Sequence, residues 1–251
     1  MSIIKSNAVA PPPSGGLSSI SEMNSLRFDG SSYLSKTPTT AGNRKTWTWS
    51  GWVKIGNPND PRVFSAGTST NKTEIALSST FVFRYRTSSN NYYVQTSAKF
   101  RDHSAWYHVF VAIDTTQATG SDRVKLYING EQITDFGNEG YPPQNADMHI
   151  NSTSQHNIGY LTGTSTTFFD GYLANIHFID GQALDHNSFG ETISDIWVPK
   201  AYGSGDPSNA SQVLAEYGTN GFHLDFAASN MDFTNSKVLD ASGRGNDWTL
   251  N

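Results

Sequence analysis

The sequence predicts an all-β protein, an antiparallel β-sandwich of jelly-roll type preceded by a flexible N-terminal arm. Three observations predict it. Apolar residues recur with period two over most of the chain, Asn-Gly and Asp-Gly pairs punctuate these runs, and segments with helical spacing are few and short. Such alternation marks strands with one face buried, and the pairs tolerate the positive φ that tight hairpins require. Many short strands, with almost no helix to cover a parallel sheet, point to antiparallel sheets packed face to face.

The elements follow in order. Residues 1–25 read as an extended arm serving as anchor or linker. Pro11, Pro12 and Pro13 favour a polyproline II stretch, and Ser14-Gly15-Gly16 is a flexible joint. Ile3, Ile4 and Val9 are the apolar contacts through which such an arm becomes ordered on a partner, so Ile3, Ile4, Val9, Pro11, Pro12 and Pro13 are the expected anchoring residues. Trp47, Trp49, Gly51, Val53 and Ile55 then share one face of a strand, with Thr46, Thr48, Ser50 and Lys54 on the other. Phe81, Phe83 and Tyr85 alternate with Val82, Arg84 and Arg86. Tyr107, Val109, Val111 and Ile113 alternate with Trp106, His108, Phe110 and Ala112, a strand apolar on both sides and therefore covered on both. Val124, Leu126 and Ile128 lead into Asn129-Gly130, a hairpin signal of type I′. Helical spacing is confined to about one turn in Ser188–Ile196 and about two in Ser211–Tyr217. The sandwich domain is expected over 26–200. Residues 201–251 form an extension packed on it, with Phe222, Leu224 and Phe226 alternating with His223 and Asp225 to cover an edge.

Composition excludes several functions. With 17 Lys+Arg against 22 Asp+Glu, the net charge of −5 argues against nucleic acid as a partner. The chain has no cysteine, which removes disulfides, thiolate metal sites and cysteine nucleophiles. The longest apolar runs, such as Val109–Ile113, are too short to span a membrane, and the first residues lack the pattern of a secretory signal.

No catalytic residues emerge. A retaining glycosidase needs two closely spaced carboxyls, yet no two of the six Glu, at 22, 74, 131, 139, 191 and 216, are closer than eight residues. The Glu-x-Asp-x-x-Glu segment of sandwich glucanases is absent. The seven His, at 103, 108, 149, 156, 177, 186 and 223, show no metal-ligand spacing. Asp170, Asp147 near Asn145, and Asp240 near Asn246 and Asp247 carry oxygens of the kind calcium takes from loops. Turn capping by the same residues outweighs that reading, so no cofactor is expected and structural calcium is the alternative. Exposed aromatics beside planar polar side chains suit glycans. Asn90-Asn91-Tyr92-Tyr93 and Gly140-Tyr141-Pro142-Pro143-Gln144 have this make-up, making Tyr92, Tyr93 and Tyr141 the candidate glycan contacts; sandwich core and an oligomer interface are the alternatives for the same aromatics.

Several segments in order carry a resemblance: Ser25-Leu-Arg-Phe-Asp-Gly, Trp47-Thr-Trp-Ser-Gly-Trp-Val-Lys, Trp106-Tyr-His-Val, Val124-Lys-Leu-Tyr-Ile-Asn-Gly, Asn157-Ile-Gly and Phe169-Asp-Gly-Tyr-Leu-Ala-Asn-Ile-His-Phe-Ile-Asp-Gly-Gln-Ala-Leu. Over about residues 25–190 the chain resembles the laminin G-like, concanavalin A-like lectin/glucanase superfamily. That superfamily includes lectins, hydrolases and spacer modules. A narrower resemblance, in Phe100-Arg-Asp-His-Ser-Ala-Trp-Tyr-His, Phe178-Ile-Asp-Gly-Gln-Ala-Leu and Trp197-Val-Pro-Lys-Ala-Tyr, is to structural proteins of marine tailed bacteriophages. It implies a non-enzymatic virion protein, a capsid decoration or tail-fibre display module located in the virion. Its partners would be other virion proteins, further copies of itself in a homo-oligomer, and host-surface glycans, with no membrane partner. A dedicated glycan-binding adhesin is the alternative, and a polysaccharide-degrading enzyme ranks after it.

Overall fold

The computed structural model describes residues 2–4, 23–57, 62–161, 164, 167–202 and 216–251, with the backbone alone for 2–4. Val9, Pro11, Pro12 and Pro13 lie outside these residues, as does most of the helical spacing expected over Ser211–Tyr217.

The chain lays down β1 (Ser2–Ile4), β2 (Ser25–Asp29), β3 (Leu34–Lys36), β4 (Thr46–Ile55), β5 (Arg62–Gly67), β6 (Lys72–Leu77) and β7 (Phe81–Arg86). It continues through β8 (Asn91–Thr96), β9 (Tyr107–Asp114), β10 (Val124–Ile128), β11 (Glu131–Gln132), β12 (Phe136–Glu139), β13 (His156–Ile158) and β14 (Asp170–Asp180). Last come β15 (Gly190–Ile193), β16 (Ile196–Pro199), β17 (Phe222–Leu224), β18 (Met231–Asp232), β19 (Lys237–Val238) and β20 (Trp248–Leu250). The front sheet runs β1-β2-β14-β4-β9-β10-β11, with β17 also paired to β14; the back sheet runs β12-β8-β7-β6-β5-β13-β3-β20-β19-β18. All pairings are antiparallel, so the protein is an antiparallel β-sandwich.

The alternation read from the sequence sorts side chains between core and surface. Trp47, Trp49, Val53 and Ile55 of β4, Val109, Val111 and Ile113 of β9, and Phe81 and Phe83 of β7 all join one buried cluster between the sheets. Asn129 and Gly130 make the hairpin turn with φ of 50° and 80°. In β14 the period breaks once. Ala174 faces Trp52 and His177 faces Ser50, so β14 holds one residue more than β4 at that point. Asn175 takes up the excess with φ 48°, as bulge residues do, and Leu173 and Ile176 both reach the core in consequence.

Two segments differ from the sequence expectation or extend it. Ser188–Ile196 is not a helical turn. A short 3-10 turn at His186–Ser188 gives way to the β15–β16 hairpin, whose strands pair Gly190 with Pro199 and Ile193 with Ile196. Residues 222–250 place strands in both sheets: β17 pairs with β14, and β20 pairs with β3. Phe222, Leu224, Phe226 and Trp248 are all buried in the main core.

A buried carboxylate fastens this last segment. Asp180, 8% exposed at the end of β14, accepts from the Asn43 N–H (2.8 Å), the Asn151 side-chain amide (2.6 Å) and the Asn220 N–H (3.0 Å). The Asn220 amide in turn donates to Asn151 Oδ1 (2.8 Å) and to the Thr40 carbonyl (3.0 Å). One anion thus satisfies donors from three distant segments, each expensive to leave unpaired in the interior. Asp180→Ala is expected to cost on the order of 3 kcal/mol, from donors left unpaired. An unchanged denaturant midpoint would show that water replaces the carboxylate without loss.

Candidate aromatic groove

The front sheet is apolar on its outer face as well. His108, Phe110 and Ala112 of β9 point away from the main core, as do His177 and Ile179 of β14. A second buried cluster of Phe110, Ala112, Ile179, Phe189 and Tyr217 forms over them, flanked by Leu184 and Tyr202. The chain from Gln182 to Tyr202, with Tyr217, is the cover. Its hairpin ends over the turn between β10 and β11.

Trp197 of β16 is the fixed point of that hairpin. Its indole N–H donates to His108 Nδ1 at 3.0 Å. Its ring lies where a Cβ on Gly130 would come within 2.4 Å and a Cβ on Gly190 within 2.3 Å. Gly130 is therefore dictated by the ring as much as by the turn, and Gly190, at the start of β15, by the ring. An indole only donates, so Nδ1 of His108 is the acceptor and the proton sits on Nε2, 2.8 Å from Ser50 Oγ. His108 is 1% exposed, and burial drives its pKa down to about 3, with the neighbouring His186 charge a lesser cause. The Ser50–His108 contact is accordingly no nucleophile and base: the imidazole lone pair is already used by Trp197.

Beyond Trp197 the cover stops, and a groove of about 650 Å³ opens, lined by Trp52, Phe100, Trp106, Ile128, Ile133, Ile196 and Trp197 with Asn129, Glu131, Gln132 and Asp195. Its size and its mixture of aromatic walls with a few polar groups are those of small-ligand sites. Trp52 is 7% exposed and its indole N–H has no hydrogen-bond partner, as is true also of Trp47, Trp49 and Trp248 in the main core. Ser194 and Asp195 form the hairpin tip with φ of 50° and 64°, positions usually given to Asn and Gly. Ile196 beside them is 64% exposed.

A second, smaller cleft of about 210 Å³ lies at the bulge of β14, where His177, His223, Tyr202, Lys200, Asn175 and Asp225 meet. The rings of His177 and His223 stack at 4.0 Å, and both Nε2 atoms approach Asn175 Oδ1, at 3.1 and 2.7 Å. Tyr217 Oη is 2.8 Å from His177 Nδ1. With Asn175 Oδ1 able only to accept, both Nε2 atoms are the donors and Tyr217 donates to Nδ1, which keeps His177 neutral. Burial holds the pKa values of both histidines down and that of Tyr217 well up.

The residues singled out in the sequence fall elsewhere. Ile3 and Ile4 pair with Leu26 and Ser25 at the edge of the front sheet. Tyr92 and Tyr93 occupy opposite faces of β8. Tyr92 packs against the core, its ring stacked on Tyr85 at 6.1 Å, whereas Tyr93 lies under the Arg84 guanidinium at 5.4 Å. Tyr141 donates to Glu139 at 3.2 Å and packs on the core edge. Gly140 N donates to the Tyr93 carbonyl, which places Tyr141 near Tyr93 in the chain path but away from the groove. Asp170 is paired with Arg27 at 2.5 Å, and the Asp240 carboxylate accepts from His223 N, Ser242 N, Ser242 Oγ and Asn246 N. Among the described residues, no three His, Asp or Glu side chains gather as a metal site. The groove residues were missed because Trp52, Trp106 and Trp197 come from separate segments. The available signal was their position: Trp52 stands on the face of β4 opposite the main core, and Trp106 immediately precedes β9.

A family model, Laminin_G_3, described as the concanavalin A-like lectin/glucanases superfamily, matches residues 28–187. The chain belongs to this superfamily. No curated protein matches it in sequence. Among solved structures, a candidate carbohydrate binding protein from Bacteroides ovatus is similar with a TM-score of 0.57 and 18% identity, over 91% of this chain and 58% of that one. The native heptameric SAP-like pentraxin of Limulus polyphemus gives 0.46 and 20% identity over 64% and 76% of the two chains. The enzymatically active domain of tailspike protein 2 from bacteriophage CBA120 gives 0.45 and 11% over 66% and 26%. The Bacteroides likeness is one of fold, and this superfamily member spans less than two thirds of that protein. No helix among the described residues is long and apolar enough to cross a membrane.

The buried neutral histidines make stability depend on pH. Burial lowers the pKa of His108 to about 3, of His156 to about 4 and of His177 well below 6.5. The unfolded chain therefore binds more protons than the folded one below pH 6.5. Stability is full above that pH and falls as pH drops toward 4. The expected loss between pH 7.5 and 5.5 is roughly 1 kcal/mol per buried histidine. Denaturant titrations at the two pH values measure it, and equal midpoints would contradict the neutral assignments.

Proposed function

We propose that this lectin-like domain is a non-enzymatic bacteriophage virion component, a display head on the capsid or tail that holds host-surface glycan in the groove of Trp52, Trp106 and Trp197. The groove carries the reading. Sugar rings present C–H faces that pack on aromatic side chains, and Asn129, Gln132, Glu131 and Asp195 at its rim offer the planar polar groups that hydroxyls need. The virion assignment rests on the phage-like segments in the sequence. The arm would tether the head to other virion proteins through Val9, Pro11, Pro12 and Pro13, while Ile3 and Ile4 hold its start against β2. Many copies on one particle would turn weak single-site binding into firm attachment. The negative net charge speaks against nucleic acid as a partner.

One observation favours a second reading. Glu131 and Asp195 line the same groove, as the two carboxylates of a polysaccharide-degrading enzyme would. Release of reducing sugar from host envelope material would establish that reading in place of the first.

On a glycan array, multimerised protein is expected to bind and the Trp106→Ala protein to lose about tenfold or more in affinity, since stacking is worth on the order of 1 kcal/mol or more. Absence of signal from the multimer would refute glycan binding. Deleting residues 1–16 should leave a folded head that no longer enters particles, and retained incorporation would refute the tether.

A further inference from the structure

Among the described residues, every charged side chain that lines the groove is acidic. Glu131 follows the Asn129-Gly130 turn, Asp195 tops the β15–β16 hairpin, and no described Lys, Arg or His is among the lining residues. Lys99 and Arg101 lie in the adjoining loop but do not line it. Both acids are exposed, so they face a ligand without first having to leave the interior. Asp195 holds its place at a conformational cost: φ is 64° at a turn position where glycine is unstrained.

We infer that the groove selects neutral glycans rich in free hydroxyls and rejects acidic ones; this rests on the glycan-binding reading above. An ionised carboxylate only accepts hydrogen bonds, so the ligand must bring donors, and adjacent sugar hydroxyls supply two at carboxylate spacing. Uronate, sialate or sulfate groups would instead meet two like charges beside low-dielectric aromatic walls, which raises the repulsion above its value in open water. The aromatic walls take the apolar ring faces of the same sugars.

The test uses the full chain, multimerised on beads, against neutral polysaccharides (dextran, mannan, galactan) and acidic ones (dextran sulfate, alginate) at low and high salt. The expected result is retention of at least one neutral polymer and of neither acidic polymer at low salt. The double variant Glu131→Gln, Asp195→Asn, both at exposed sites, is expected to weaken neutral binding about tenfold and to admit acidic polymers. Its melting temperature, matched to the parent's, separates this from misfolding. Equal binding of dextran and dextran sulfate, or neutral binding unchanged in the double variant, would overturn the selectivity and leave glycan binding standing. Binding of no polymer in either class would overturn both.

Discussion

The structure turns on a front sheet that is apolar on both faces. A sandwich usually leaves its outer surfaces to water, so strands alternate apolar and polar residues. Here β9 presents Val109, Val111 and Ile113 inward and His108, Phe110 and Ala112 outward, and both sets are buried. The outer set cannot stay bare, and the chain after β14 folds back to cover it with Leu184, Phe189, Tyr202 and Tyr217. The cover has finite length. Where it ends, at Trp197, Trp106 is left partly open above the buried Trp52, and that opening is the groove.

The polar groups buried under the cover show how the arrangement is made specific. His108 and His177 are each held neutral by one donor and one acceptor, Trp197 with Ser50 in the first case and Tyr217 with Asn175 in the second. Buried imidazoles with both nitrogens engaged fix the orientation of the rings that contact them. Trp197 cannot swing into the groove without abandoning His108, and only glycine at 130 and 190 leaves room for its ring as it lies. The groove wall is consequently preset, which lowers the ordering cost of a ligand that uses it.

Much of this was legible in the sequence and some was not, for definite reasons. Period two located the strands of the core, and the Asn129-Gly130 pair located a hairpin, because both signals are local. Apolar residues on both sides of β9 announced a covered strand, although nothing local said what covers it. The β15–β16 hairpin was read as a helical turn because its tip is Ser194-Asp195, which lacks the Asn-Gly signature. The bulge at Asn175 hid behind an otherwise regular run, and with it the His177–His223 stack. Tyr92 and Tyr93 looked like one platform in sequence, yet neighbours on a strand point to opposite faces. A site assembled from residues 52, 106, 131 and 195 leaves no spacing to find.

The central claim is that ligand enters where the cover over the front sheet ends. The six tryptophans make it measurable, since Trp52, Trp106 and Trp197 line the groove while Trp47, Trp49 and Trp248 lie in the main core. Indole N–H resonances, assigned and followed while a neutral oligosaccharide is added, should move for the groove set and stay fixed for the core set. Saturable binding that leaves the groove resonances in place would contradict the account.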